Sequence, residues 1–135
     1  MIMRNKNKYL ISFDRDTGIY YISDEQNGEE ERARIIDFHS KSIIQRTANK
    51  VLVKIPKISI YKGYAVWCPR NFIVSEDDSY RHFGIFPESL NLPLEKWKDK
   101  TKISAVEISA AELEKEFISD PDRWHQTYKR LLKPR

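Results

Sequence analysis

Between residues 38 and 75 the chain carries seven cations (Lys41, Arg46, Lys50, Lys54, Lys57, Lys62 and Arg70) and no Asp or Glu. Phe38, Tyr61, Tyr64, Trp67 and Phe72 are interleaved with them. Single-stranded nucleic acid is held by this combination, because cations neutralise phosphates while aromatic faces stack bases. The binding set expected from this stretch is Lys41, Arg46, Lys54, Tyr61, Lys62, Tyr64 and Arg70, with Trp67 as a candidate platform. A second basic group, Lys129, Arg130 and Lys133, lies near the end of the chain. The competing assignment puts Trp67 and Phe72 in the core and leaves the lysines to solvate an outer face.

Groups suited to catalysis are fewer. Asp16-Thr17-Gly18 matches the tripeptide that carries the catalytic carboxylate of aspartic proteases. That chemistry needs two carboxylates sharing a proton, and Ile19 stands where a small residue normally follows. The tripeptide also falls where a hairpin turn is wanted. Asp14, Asp16 and Glu25 sit at positions 1, 3 and 12 of a hypothetical calcium loop, but Ile19 occupies the position that needs glycine. Cys68, His39, His82 and His125 are the only soft ligands, and none is paired at metal spacing. Cys68 follows Trp67 in an apolar run, the setting of a small buried hydrophobe. No catalytic residue, metal site or cofactor is assigned, and a non-enzymatic role is expected.

The elements that must position these residues read as strands. Residues 9–13 and 19–22 form a hairpin around the turn 14–18. Residues 30–38 fit either a turn or two of helix or the lead into a strand. Residues 42–47 and 51–55 form a second hairpin, with Val51, Val53 and Ile55 on one face. Residues 64–68 form a strand ended by Pro69, with 72–74 as a short continuation. A further strand is expected at 82–86, a loop containing Trp97 between Pro87 and Pro93 and beyond, and a last strand at 103–108. Ser109 with Glu112 makes a capping box. Asp120-Pro121 starts a second helix, on which Trp124, Tyr128 and Leu131 form an apolar stripe. The expected class is α+β: a small antiparallel sheet or partly open barrel with one or two C-terminal helices, in a single domain over 1–135 with 1–7 loose.

Composition excludes several classes. The 135 residues are 40% hydrophobic and 33% charged, with a net charge of +4. No apolar run approaches the ~20 residues that span a bilayer, so no membrane partner is expected. One cysteine allows no internal disulfide, which points to a reducing cytoplasm. Acid is gathered at Asp24, Glu25, Glu29, Glu30, Glu31 and again at Glu76, Asp77 and Asp78. Such loops could imitate a nucleic-acid backbone, although solvated loops commonly look the same.

The run 42–56 (SIIQRTANKVLVKIP), followed by 63–73 (GYAVWCPRNFI), resembles small accessory proteins of phages, plasmids and conjugative elements of low-GC bacteria. Some of these are anti-CRISPR inhibitors. The resemblance implies an accessory protein of a mobile element that inhibits a host nuclease effector by binding it or its RNA. The partner would then be a host nuclease or ribonucleoprotein. The alternative, read from the residues alone, is a sequence-tolerant binder of single-stranded DNA or RNA.

Overall fold

The computed structural model describes residues 3–4, 9–24, 29–57, 59–76 and 80–117. The second C-terminal helix expected from Asp120, with Lys129, Arg130 and Lys133, lies outside the described residues, as does His125. Eleven strands and one helix make up the rest: β1 (Met3–Arg4), β2 (Tyr9–Asp14), β3 (Ile19–Asp24), β4 (Glu30–His39), β5 (Ile43–Arg46), β6 (Lys50–Lys54), β7 (Tyr64–Pro69), β8 (Ile73–Glu76), β9 (Arg81–Pro87), β10 (Asn91–Lys98), β11 (Thr101–Ser109) and α1 (Ala110–Glu116). This corrects the balanced α+β expectation. The described chain is mostly antiparallel β, and its one helix has seven residues.

The strands form two sheets, one of six in the order β1-β2-β3-β4-β9-β8 and one of five in the order β11-β10-β7-β6-β5. Two short 3-10 turns join them. Ser40–Ser42 carries the chain from β4 in the first sheet to β5 in the second, and Arg70–Phe72 carries it from β7 back to β8. Pro69 explains the second corner: it lacks the donor a continuing ladder needs. The first sheet curls into a half-barrel. Tyr9 on β2 and Phe72, just before β8, belong to opposite ends of its strand order, yet their rings lie 4.7 Å apart.

One core fills the space between the sheets. Ile11, Ile22, Ile36, Phe38, Phe83 and Phe86 enter from the first sheet, and Val51, Val53, Val66, Cys68, Leu92 and Leu94 from the second. Gly84 is required there: an added Cβ would lie 2.6 Å from the Phe86 ring. Helix α1 closes the core with Ala110, Leu113 and Phe117. Its start follows the capping box, since Ser109 Oγ accepts from the Glu112 amide at 3.2 Å. Three alternate glutamates hold the helix in place. Glu112 accepts from the Tyr61 hydroxyl (3.0 Å), Glu114 from the Ile35 amide (2.6 Å) and Arg34 (3.1 Å), and Glu116 from Ser59 (2.6 Å).

The hairpin 9–24 forms around the expected turn. Gly18 takes a positive φ of 71° and donates to the Asp14 carbonyl at 2.8 Å. Residues 30–38, which fit helix or strand by sequence, are strand. The loop expected around Trp97 is instead part of β10, the first arm of the β10–β11 hairpin. Pro93 argued against a strand, but β10 pairs with β7 only at Leu94, Glu95 and Lys96. Pro93 lies beyond that contact, so its missing N–H leaves no gap in the ladder toward β7.

Candidate nucleic-acid interface

All seven cations of residues 38–75 are exposed. Their aromatic partners are not. Phe38 and Phe72 are core residues, and Trp67 is 8% exposed in a second cluster with Leu52 and Ala65. The Tyr61 hydroxyl is held by Glu112, and the Tyr64 hydroxyl lies 2.9 Å from Ser104 Oγ. The cations are also divided. Strand register puts Arg46, Lys50 and Arg70 at one end of β6, and Lys54, Lys62 and Tyr64 at the other. Lys41 sits in the first 3-10 corner, where His39 Nδ1 accepts its amide at 3.0 Å. Over 38–75 the structure thus places exposed cations above a packed interior, with Tyr61 and Tyr64 half-buried.

The candidate catalytic groups fit structural roles. Cys68 is fully buried, and burial pushes its thiol pKa far above the usual range, away from a nucleophilic thiolate. Asp16 is exposed in the turn, where its amide donates to the Asp14 carboxylate at 2.9 Å. Burial, with Arg46 and His39 nearby, holds His82 below the ordinary histidine value. Among the described residues no cluster of three or more His, Cys, Asp or Glu could hold a metal ion.

A different face joins aromatic rings to cations. Residues paired across antiparallel strands point to the same side. On the second sheet Leu94 and Val66 face the core, so their neighbours Glu95 and Ala65 face outward. Lys54, Ala65, Glu95 and Ala105 then make one outward row across β6, β7, β10 and β11, and Leu52 and Trp67 begin the next. Glu95 organises this face. Its carboxylate accepts from Trp97 Nε1 at 2.9 Å and from Lys102 Nζ at 3.3 Å, and Trp67 also donates to it. Burial opposes its ionisation, but these three donors prevail and hold its pKa below the ordinary glutamate value. Lys50 Nζ lies 4.3 Å from the Trp67 ring centroid, and Lys102 Nζ 5.8 Å from that of Trp97.

Trp97 is the exposed ring of this group, at 47%. Lys98, Lys100 and Lys102 share the end of the β10–β11 hairpin with it, while Lys96 turns to the other face, its Nζ 5.7 Å from the Tyr64 ring centroid. Residues 99 and 100 form the two-residue turn between the paired Lys98 and Thr101, and both have positive φ (49° and 68°). A two-residue hairpin turn with both φ positive normally recruits glycine at its second position. Here that place is held by Lys100. The run from 95 to 102 (EKWKDKTK) carried the same basic–aromatic signal as 38–75, in a denser form. Assigning it to a proline-framed loop hid it.

No family model, curated protein or solved structure matches the chain. No helix among the described residues is long and apolar enough to cross a membrane.

Proposed function

We propose that the chain is a non-enzymatic binding protein that takes single-stranded nucleic acid at the β10–β11 hairpin, where the second sheet extends past β7. The observation that carries this reading is Trp97, exposed and held by Glu95 on a hairpin whose end also carries Lys98, Lys100 and Lys102. A base stacks on the free indole face while Lys98 and Lys100 reach flanking phosphates. Stacking of this kind contributes about 1–3 kcal/mol per base and tolerates any sequence. Lys50, Lys54 and Arg70 extend the cationic track beyond the hairpin on β6 and the second corner.

The same surface suits the role expected of an accessory protein from a mobile element. An anti-CRISPR-like inhibitor in the cytoplasm would use it to cover the RNA of a host nuclease effector, its ribonucleoprotein partner. The test is a fluorescence-anisotropy titration of a labelled single strand of roughly 20 nucleotides, longer than one small β-domain covers. Affinity is expected to fall steeply between low salt and about 0.2 M, because binding releases counterions. Absence of binding at low salt contradicts the proposal. If RNA binds, co-elution with a guide-loaded effector separates the inhibitor role from general strand binding.

A further inference from the structure

We infer that the later part of β11, residues 104–108, is a docking edge for an extended segment of a partner protein in which a lysine or arginine adjoins a valine or isoleucine. β11 ends the five-stranded sheet, and no described strand pairs with its outer side. The other sheet ends are short, with four residues in β5 and β8 and two in β1, against nine in β11. The start of β11 is guarded. Its pairing with β10 shifts between Lys96 and Trp97, so Ile103 is an extra residue without an opposite number, and Lys102 is held by Glu95. Bulges and lysines are the usual guards of a sheet edge. From Ser104 to Ile108 the register is regular and neither guard is present. Such a run is a template for an added strand, which gains main-chain hydrogen bonds along it.

The side chains of this run choose the occupant. Val106 pairs with buried Leu94 and so points to the core side, yet at the sheet edge it is 44% exposed. A strand laid beside β11 sets one side chain directly against Val106, and an apolar one removes that surface from water. The next residue of the same strand points outward, the side to which Ala105 and Glu107 belong. Glu107 is the only charge in the run. Its neighbour on β10 is Pro93, which offers no donor, and among the described residues no cation forms an ion pair with it. A cation on the added strand, opposite Glu107, supplies the missing partner. A second copy does not, because residues 104–108 contain no lysine or arginine and would bring only another glutamate.

This inference does not rest on nucleic-acid binding, and its test contains no oligonucleotide. The probe is a capped peptide of about seven residues that alternates valine with lysine, long enough to line the run. The isotope-labelled full chain is titrated with it and followed by NMR. Shifted amides and slowed hydrogen exchange are expected along Ser104–Ile108, with a Kd between about 10 μM and 1 mM, the strength of a small edge contact. The same peptide with glutamate in place of lysine should bind there about two- to fivefold more weakly, the size of one cross-strand charge pair. Glu107→Lys should reverse that preference, and a reversal cannot come from a general loss of folding. Absence of binding up to about 1 mM peptide, shifts centred on β5 or on the hairpin end, or the same preference in the parent and the variant overturns the proposal. Exchange at 104–108 that slows without peptide as the protein is concentrated would make a second copy the occupant, and overturns it too.

Discussion

Residues 38–75 and residues 95–102 carry the same ingredients, lysines alternating with aromatic rings, but the fold uses them differently. In the first stretch Phe38 and Phe72 are core, Trp67 lies over Leu52 and Ala65, and the cations divide between the two ends of β6. In the second the ring is outside, and Lys98, Lys100 and Lys102 share the end of the hairpin with it. The difference comes from sheet position. Strand β7 is third of five and covered on both faces, while β10 and β11 extend past β7 at the edge. The ring stays exposed at Trp97, beyond the β7 pairing, and is buried at Trp67, where β7 lies between β6 and β10.

The largest expected effect breaks this comparison if it fails. Trp67→Ala removes a packed ring and should cost about 3 kcal/mol of stability, read by urea denaturation. Trp97→Ala should leave stability within about 0.5 kcal/mol, as for an exposed side chain away from the core. It should instead lower affinity for a single strand by about 1–3 kcal/mol, or roughly five- to 150-fold. If the two variants exchange these phenotypes, the roles of the two tryptophans are reversed.

A pH series sharpens the role of Glu95. Its pKa is depressed in the folded protein. The stability it contributes is therefore complete above the unfolded value of about 4.3 and is lost as pH falls through the lower folded value. Glu95→Gln should be less stable than the parent near neutral pH, and the gap should close as the solution is acidified. A melting-temperature difference that stays constant down to acid pH would show that the carboxylate charge has no part in holding Trp97.

The smallest effect concerns the turn. Lys100 occupies a left-handed conformation that glycine adopts without strain. Lys100→Gly should gain about 0.5–1 kcal/mol in stability while flattening the salt dependence of strand binding by about 0.7 in the log–log slope, the value of one lost phosphate contact. Gain in stability without any change in slope would mean that Lys100 touches no phosphate.

Much of the fold was legible in the residues. The alternation of Val51, Val53 and Ile55, the turn at Gly18, the corner at Pro69 and the cap at Ser109 are local signals, and each formed as its chemistry required. The proposed interface was not legible in the same way. Whether Trp67 or Trp97 faces solvent depends on which strand lies beside which, and strand order is set by long-range pairing. Pro93 misled for the same reason, since its effect on a strand depends on whether a neighbour needs its N–H. The three donors on Glu95 come from β7, β10 and β11, so only the assembled sheet unites them.

The central claim is tested most directly by two double variants of equal charge. Lys98→Ala with Lys100→Ala removes two cations from the hairpin tip, and Lys41→Ala with Arg46→Ala removes two from the first corner and β5. Both are titrated with the same labelled single strand at one salt concentration. The tip variant is expected to lose at least about tenfold more affinity than the corner variant, the loss of aligned phosphate contacts beside a stacked base. Equal losses would reduce binding to net charge alone, and a larger loss in the corner variant would return the interface to residues 38–75.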